Sequence, residues 1–345
     1  MTNGESYAIE TKVIQEAFPN AEIVVSGRSY REDAEKYAES ADAVLVQVSM
    51  QLDAPLIAQL EKCKIISVYG VGYDNVDVDA ATAKGIAVAN VPGYCTEDVS
   101  DYVIAAIYHC NKTLLAYAKS CRGGAWGAMA AKHLIHRIAG SKLLIIGLGR
   151  IGGAVAAKAK AMRMEVLCYD PYVSSEQAQA MGVKAVSLED GLAQADYVSL
   201  NMRLTEETKG FLSTEAFRQM KPTAYLINAS RGGTVDEAAL IEAVQSGEIA
   251  GACLDVLCEE PPKPDNPMLH TDGIFCYTPY LLFNTVLSGR IAAHCCANAV
   301  AFLRGEPVAS VVNPEAGAKK GLMVYDEEGF ADYDRSRTAG AVSGK

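Results

Sequence analysis

Short apolar runs alternate with helical patterns along two stretches of the chain. Between Ala21 and Val91 these runs are AEIVV, ADAVLVQV, CKIISVYG and GIAVANVP. From Lys142 onward they are KLLIIG, MEVLCYD, DYVSLN, AYLINAS, IAGACLDV and GIFCYTP. Strand-like runs separated by helices are typical of parallel sheets. The pattern therefore predicts an α/β protein with two doubly wound parallel-sheet domains.

The helical stretches between and after these series predict the domain organisation. A long helical pattern extends from Thr96 to about Arg122, and a last one, IAAHCCANAVAFLRG, starts at about Ile291. We expect the last helix to pack back on the first domain, so that the second domain is inserted in the first. Residues 1–96 and 292–345 then form the smaller domain, and residues 97–291 form the cofactor domain with the long helix.

The composition narrows the class of protein. Half of the 345 residues are hydrophobic and 21% are charged, so the chain can bury two cores. The net charge of −11 argues against nucleic acid or an anionic membrane surface as a partner. No apolar run is long enough to span a bilayer, and the start of the chain, MTNGESYAIE, lacks a basic region followed by an apolar one. These features predict a soluble cytoplasmic protein.

The ten cysteines indicate neither disulfides nor a metal site. Most of them lie within apolar runs, as Cys63, Cys168 and Cys253 do, and no CxxC pair occurs. Cys295 and Cys296 are adjacent and would bridge only with strain. We expect small buried thiols in a reducing compartment.

The motif GLGRIG follows the apolar run KLLII and opens a helical pattern, which is the context that dinucleotide binding requires. Gly147 permits a tight turn, Gly149 lets the backbone approach a pyrophosphate, and Gly152 lets the helix meet the strand. The N–H groups at the helix start, at Arg150 and Ile151, face the phosphates.

Asp170 ends the next strand, 18 residues after Gly152. A carboxylate at this point accepts from the ribose hydroxyls and repels a 2′-phosphate, which favours NAD over NADP. Further cofactor contacts are expected at the ends of the neighbouring strands, at Asn201, Thr205, Ala229 and Asp255.

Two motifs place charged side chains at the carboxyl ends of the later strands, where doubly wound sheets bind ligands. In NASRGGTVD, Arg231 can fork onto a carboxylate and polarise an adjacent carbonyl. In LDVLCEEPP, Glu260 lies in a turn at the same edge and can pair with an acid–base group and raise its pKa. In the first domain, the YGVGYDNVD motif exposes the backbone at Gly70 and Gly72, so the turn at Tyr69, Gly70 and Val71 is either a carboxylate-binding nest or a plain glycine turn.

Together, GVGYDNVD, GLGRIG, NASRGG and LDVLCEEP resemble the D-isomer-specific 2-hydroxyacid dehydrogenase family in order and spacing, over roughly residues 5 to 315. YDPY and NVP are most similar to the branch that contains the C-terminal-binding proteins. The resemblance implies a Rossmann NAD domain inserted in a smaller flavodoxin-like substrate domain. It also implies reversible hydride transfer between NAD and a 2-hydroxy acid, in a homodimer built on the long helix and the segment after it.

The resemblance also implies site residues. Arg231 holds the substrate carboxylate and carbonyl, Glu260 is the partner of a catalytic histidine, and Val71 with neighbouring backbone binds the carboxylate. That histidine follows the Thr-Pro of the last strand in the family, and this chain has Tyr280 there. Tyrosine, with an ordinary pKa of about 10, serves better as a proton donor in reduction than as a base in oxidation. We expect the other histidines to be structural; they are His109, His133, His136, His270 and His294.

Two further departures concern the substrate. Asn201-Met202-Arg203 occupies the place where the family has His-x-Pro. We expect Arg203 to bind either a second anionic group of the substrate or only the protein surface. Phe283 takes the place of an active-site tryptophan of the C-terminal-binding proteins, where an apolar substrate side chain can pack.

The leading interpretation is an NAD(H)-dependent 2-keto acid reductase that uses Tyr280. Its competitors are an NAD(H)-binding sensor or interaction protein with little turnover, and a repurposed site with other chemistry on a related acid. The partners expected are therefore a small 2-keto or 2-hydroxy acid and a second copy of the chain.

The two ends of the chain raise a separate question. Members of the family begin with a strand, whereas the helical pattern here starts at Tyr7. The polar tail after Pro314 contains GLMVYD, a strand-like run. Either Gly321 to Asp326 fills the vacant strand position, as in a circular permutation, or the tail is disordered.

Overall fold

The computed structural model describes residues 7–27, 30–127, 136–277 and 285–318. These residues fall into two units. The first unit contains the described residues up to Tyr94 together with those from residue 285 onward. The second unit contains the described residues between them, from Cys95 to Tyr277. The boundary expected between residues 291 and 292 falls inside a helix, Thr285–Leu303, that belongs as a whole to the first unit.

The second unit is built on a parallel sheet of seven strands, in the order β10-β9-β8-β7-β4-β5-β6. Every ladder is parallel, and the chain order reverses between β4 and β7, which is the switch point of a doubly wound sheet. The strands are β4 (Lys142–Ile146), β5 (Glu165–Tyr169), β6 (Lys184–Ala185), β7 (Tyr197–Leu200), β8 (Tyr225–Asn228), β9 (Gly251–Leu254) and β10 (Ile274–Cys276). The six predicted strands are all present, and β6, with two residues, is the addition.

The helices of this unit cover both faces of the sheet. They are α5 (Thr96–Lys112), α6 (Leu114–Arg122), α7 (Arg150–Ala161), α8 (Ser175–Ala180), α9 (Leu188–Gln194), α10 (Thr214–Gln219) and α11 (Glu237–Ser246). Strand side chains alternate between two buried clusters: Leu144 and Ile146 belong to one, and Leu143 and Ile145 to the other. Because both faces are buried, the strands are continuous apolar runs, as the sequence predicted.

The first unit contains a three-stranded parallel sheet in the order β1-β2-β3. Its strands are β1 (Ala43–Gln47), β2 (Ile65–Tyr69) and β3 (Ala87–Ala89). The helices are α1 (Ala8–Ala17), α2 (Tyr30–Tyr37), α3 (Ala54–Gln59), α4 (Val78–Lys84), α12 (Thr285–Leu303) and α13 (Pro314–Ala318). The α/β class with parallel sheets is therefore confirmed in both units.

Two local expectations are wrong. The strand predicted for AEIVV does not form, and residues 21–27 have no regular structure. The long helix predicted from Thr96 to Arg122 is broken at Thr113, which has φ +46°. This left-handed conformation is unfavourable for a β-branched residue, and it ends α5 and starts α6 at the next residue.

None of the ten cysteines forms a disulfide, all ten lie within the described residues, and seven of them are buried. Among the described residues, no group of His, Cys, Asp or Glu side chains is arranged to hold a metal ion. In the same parts of the chain, no helix has the length and apolar character needed to cross a membrane.

Candidate functional site

The glycine loop after β4 has the shape that its motif predicted. Gly147 has φ +92°, and a Cβ on it would lie 2.9 Å from the carbonyl oxygen of Asn201. A Cβ on Gly152 would collide with the backbone of Gly147, because α7 starts directly against the loop. A Cβ on Gly149, by contrast, would meet no atom within 4 Å. The loop is therefore closed towards the protein and open towards the place where a ligand phosphate would approach.

The start of α7 offers its backbone donors to that open side. The helix begins at Arg150, and its N-cap, Gly149, makes no side-chain capping bond. The first N–H groups of a helix have no partner within the helix, and they carry the positive end of its dipole. Arg150 and Ile151 therefore lie at an anion-binding helix terminus of the kind that holds a pyrophosphate.

Asp170 lies just after β5 and braces this loop. Its Oδ2 accepts from the backbone N–H of Leu148 at 2.8 Å, and its Oδ1 accepts from the N–H of Tyr172 at 2.9 Å. These two bonds fix the carboxylate at the strand end beside the glycine loop. Each oxygen keeps a second lone pair, which allows the carboxylate to accept from ribose hydroxyls.

Asn201 lies across the switch point, directly after β7. Its backbone N–H donates to Ile146 at 2.8 Å, and its side-chain amide donates to the Ser199 hydroxyl at 3.0 Å. The remaining side-chain oxygen, Oδ1, is buried and accepts from no described residue. A buried acceptor of this kind can take a hydrogen bond from a bound ligand.

The loop after Asn201 carries two other predicted residues. Arg203 is exposed, and its carbonyl accepts from the Thr208 hydroxyl at 2.7 Å. That hydroxyl also accepts from the backbone N–H of Thr205 at 2.7 Å. Thr205 and Arg203 therefore belong to one ordered turn at the carboxyl edge of the sheet.

Arg231 is half-buried in a turn after β8, and the turn is organised by Asn228. The side-chain amide of Asn228 donates to the carbonyl of Arg231 at 2.9 Å, and its Oδ1 accepts from the N–H of Ser230 at 3.0 Å. Thr234 also donates to the Arg231 carbonyl, at 2.7 Å. Ala229 is the first residue of this turn and packs on the sheet core. The Arg231 backbone is thus fixed at the predicted strand end.

The turns after β8 and β9 contact each other through their backbones. A Cβ on Gly232 would collide with the peptide of Leu257. The N–H of Leu257 donates to Oε1 of Glu260 at 2.9 Å. Glu260, which is exposed, is therefore tied to the turn that abuts the Arg231 segment. The structure brings these two predicted residues onto adjoining turns at one edge of the sheet.

Asp255 is the most unusual acid of this edge. It is 3% exposed, its backbone N–H donates to Asn228 at 2.9 Å, and its Oδ1 has no described hydrogen-bond partner. Burial, with a smaller contribution from the charge of Glu260, raises the pKa of Asp255 to about 7. A buried carboxylate with a vacant acceptor is suited to bind the amide of a nicotinamide group.

These observations together fit NAD. The open glycine loop and the free end of α7 match the pyrophosphate, and Asp170 matches a ribose. The unsatisfied oxygens of Asn201 and Asp255 lie at the ends of β7 and β9. They match a polar group that the protein itself does not supply.

In the first unit, Tyr69 ends β2 with its side chain buried. Its hydroxyl donates to Oε1 of Glu10 at 3.3 Å, and burial raises its pKa. The phenol is therefore used inside this unit, which leaves the backbone as the part of Tyr69 available to a ligand. The turn that follows is held by Asn90, whose side-chain amide donates to the carbonyl of Val71 at 2.7 Å. Gly70 allows the turn to pass close to Val48, since a Cβ there would lie 2.5 Å from Cγ1.

Tyr280 and Phe283 lie outside the described residues. The last described residue before them, Tyr277, has its hydroxyl 3.2 Å from Nδ1 of His109 on α5. Burial raises the pKa of Tyr277 to about 12 and lowers the pKa of His109. These two residues anchor the end of the segment that leads to Tyr280.

Asn228 and Asn90 are two residues of the candidate site that no sequence motif predicted. Each is a buried asparagine at the end of a strand, and each fixes the carbonyl of a predicted ligand-binding turn. The pattern that could have indicated them is an asparagine at the end of a buried apolar run, directly before a turn. Such an amide can replace the backbone partners that the strand no longer provides.

Comparisons with known proteins agree with this geometry. The family described as "D-isomer specific 2-hydroxyacid dehydrogenase, NAD binding domain" matches residues 104–281. The chain is 37% identical over 296 residues to a D-3-phosphoglycerate dehydrogenase of Archaeoglobus fulgidus, covering 85% of this chain and 55% of that protein. It is 37% identical over 281 residues to a glyoxylate reductase of Korarchaeum cryptofilum, covering 80% and 84%. The chain thus spans about half the length of the D-3-phosphoglycerate dehydrogenases that it matches.

Solved structures give the same result. The D-lactate dehydrogenase of Aquifex aeolicus, complexed with NAD and lactic acid, superimposes with a TM-score of 0.77 at 28% identity, covering 88% of this chain and 94% of that one. The TT0316 protein of Thermus thermophilus gives 0.77 at 30% identity, covering 87% and 96%. The matched NAD-binding domain and the fit of the glycine loop identify NAD as the cofactor.

Proposed function

Because this chain belongs to the D-isomer specific 2-hydroxyacid dehydrogenase family, we propose that it reduces a 2-keto acid to a D-2-hydroxy acid with NADH. Tyr280 is the proton donor in this proposal. The observation that carries it is the contact between the turns after β8 and β9, at Gly232 and Leu257. This contact sets Arg231 and Glu260 on adjoining turns at the edge where nicotinamide binding is expected.

The residues divide the chemistry as follows. When bound, NADH supplies the hydride that reduces the keto carbon. The guanidinium of Arg231 forks onto the substrate carboxylate and the keto oxygen, so it stabilises the negative charge that develops on that oxygen. Tyr280 donates its phenolic proton to the same oxygen, and the hydroxyl of the product forms.

The protonation state of the proposed donor, Tyr280, affects reduction and oxidation differently. A phenol with an ordinary pKa of about 10 is protonated at neutral pH, so it is ready to donate but a poor base. Glu260 is the proposed partner of Tyr280, and its negative charge favours the protonated phenol. Tyr280 should therefore serve better as the donor in reduction than as the base in oxidation near neutral pH.

Other contacts are proposed for the substrate. Arg203, on the ordered turn after β7, binds a second anionic group, and Phe283 packs on an apolar side chain. In the first unit, the turn at Gly70 and Val71 is a proposed carboxylate nest, supported by the bond from Asn90. Arg203→Ala should raise KM for dianionic keto acids and leave KM for monoanionic ones unchanged.

The test is a screen of 2-keto acids with NADH, followed by the loss of NADH absorbance. The matched variant is Arg231→Gln, which should bind NADH normally and lose roughly 10²–10³-fold in kcat/KM, the usual effect of removing a group that stabilises an oxyanion. A turnover that is indifferent to Arg231 would refute the assigned site.

One observation favours a second candidate. The place of the family histidine is taken by Tyr280, and the loss of the histidine favours an NAD(H)-binding sensor or interaction protein with little turnover. Tight NADH binding without reduction of any 2-keto acid in the screen would support this candidate. The presence of both Arg231 and Glu260 favours the enzyme, because a sensor has little use for either.

A homodimer and a cytoplasmic location complete the proposal. Large apolar side chains are exposed on and after α5 and α6, and Trp126, at 78% exposure, is the most exposed of them; the others are Tyr108, Leu114 and Leu115. A patch of this kind is typical of a protein interface. Leu115→Glu should convert the dimer to a monomer, measured by light scattering.

A further inference from the structure

The two edges of the three-stranded sheet differ in how the chain covers them. At the outer edge of β3, Ala89 forms an antiparallel bridge with Val311, and Val312 donates to the carbonyl of Val88 at 2.8 Å. β1 forms the opposite edge and, among the described residues, pairs only with β2. One edge is therefore closed by a later segment of the chain, and the other faces no described strand.

The open edge lacks the features that usually protect a sheet edge. β1 reads AVLVQ, with no proline and no charge, and it keeps a regular register with β2 over all five residues. Val48, directly after it, is 43% exposed. Edge strands in natural proteins are usually interrupted, charged or covered, because an apolar, regular edge pairs with other chains. The composition of β1 is that of a strand with a neighbour on each side.

The run before α2 gives independent evidence for a missing neighbour. Residues 21–25, AEIVV, have the composition of a strand but form no ladder, and Val24 and Val25 are 45% and 52% exposed. The run lies between two helices, and α2 leads from it to β1. This chain order is typical of a strand in the same parallel sheet. Residues 21–25 form no ladder with β1, so the place beside β1 on this side has no described strand.

We propose that the run GLMVYD, residues 321–326, which lies outside the described residues, supplies the strand that fills this place, parallel to β1 and between β1 and residues 21–25. The segment combines leucine, methionine, valine and tyrosine without proline, which suits a buried strand. It follows α13, which lies in the first unit and packs against β3 and α4.

The number of residues after α13 determines which part of the run can pair with β1. From the β3 side to the vacant place is three strand spacings, about 14 Å. Four extended residues, 319 to 322, span about 14 Å, so Lys319 to Leu322 make the crossing and the last four residues of the run, Met323 to Asp326, enter the ladder. The backbone of β1 then has partners on both sides, and Val24 and Val25 gain a strand to pack beside.

Hydrogen exchange on the full chain, read by mass spectrometry, tests the proposal without any variant. Amides 323–326 should exchange at least roughly tenfold more slowly than in a free peptide of the same sequence. A chain truncated after Ala318 should lose protection in residues 21–27 and 43–47, while residues 142–146 of the second unit stay unchanged. Free-peptide exchange at 323–326 in the full chain would overturn the proposal.

A matched pair of substitutions adds a second readout. Val324→Asp places a charge within the proposed strand and should lower the melting temperature of the first unit by roughly 3–10 °C. Val342→Asp makes the same change further along the tail and should leave it unchanged. Equal melting temperatures for the two variants would contradict the proposal. Protection that rises with protein concentration would assign the strand to a second copy and would also overturn it.

Discussion

The glycine loop after β4 and the paired turns after β8 and β9 lie on the same sheet but are determined by different forces. The glycine loop is fixed by shape: Gly147 and Gly152 have no room for a side chain, and Gly149 has room that the protein leaves open. The paired turns are fixed by polar groups, with Asn228 at their centre and a buried carboxylate, Asp255, whose Oδ1 has no described partner. The two strand ends are thus built differently: steric closure shapes the glycine loop, whereas hydrogen bonds and a buried acid shape the paired turns.

The largest effect should come from breaking the shape of the glycine loop. Gly152→Ala forces a Cβ into the backbone of Gly147, so we expect a loss of about 1–3 kcal/mol in stability and of most NADH binding. Gly149→Ala is the control, because its Cβ meets no protein atom. It should keep the stability of the wild type and still lose affinity for NADH. Thermal melting with and without NADH distinguishes the two, and equal stability losses would refute the steric account.

A smaller effect should come from the charge of Asp255. The folded pKa, about 7, lies above the ordinary value, so the neutral acid is the form that folding favours. Stability from this residue is therefore fully present below about pH 4 and is lost as the pH rises towards and through 7. Asp255→Asn, which is neutral at every pH, should gain stability over the wild type across this window and keep a constant advantage above it.

A substitution at Glu260 is the control for the raised pKa of Asp255. Glu260→Gln removes the minor cause of the raised pKa and leaves burial, so it should move the midpoint only slightly to lower pH. Denaturant unfolding between pH 4 and 8 measures both variants. A difference between Asp255→Asn and the wild type that does not depend on pH would contradict the assignment.

The smallest effect should come from Asp170, which contributes to both shape and charge. Asp170→Asn can keep one backbone bond, to Leu148 or Tyr172, while it removes the negative charge that repels a 2′-phosphate. We expect the preference for NADH over NADPH to fall by about tenfold, or 1.4 kcal/mol, in titrations of both cofactors. An unchanged preference would show that the charge does not select the cofactor.

The sequence predicted the glycine loop well and the paired turns only in part. A glycine motif between a strand and a helix specifies its own backbone, so GLGRIG was sufficient. Arg231 and Glu260 were placed at the correct strand ends, but the role of Asn228 depends on bonds to Ser230 and Thr234 that no periodicity encodes.

Elsewhere, the failures have physical causes. The left-handed Thr113 has no local signal, because a threonine is neither a turn residue nor a common C-cap. β6 is too short, at two residues, to show an alternation. The apolar and β-branched residues of AEIVV are typical of a strand. A strand forms only when a neighbouring strand pairs with it, and no described segment pairs with these residues.

Single-turnover hydride transfer from NADH tests most directly whether Tyr280 donates the proton that completes reduction. In Tyr280→Phe the transfer should slow by roughly 10²–10⁴-fold, the usual contribution of general acid catalysis, while NADH affinity stays unchanged. Tyr280→His should in addition allow oxidation of the hydroxy acid near neutral pH, because a neutral imidazole accepts a proton there. Equal single-turnover rates in the wild type and Tyr280→Phe would contradict the account and remove Tyr280 from the chemistry.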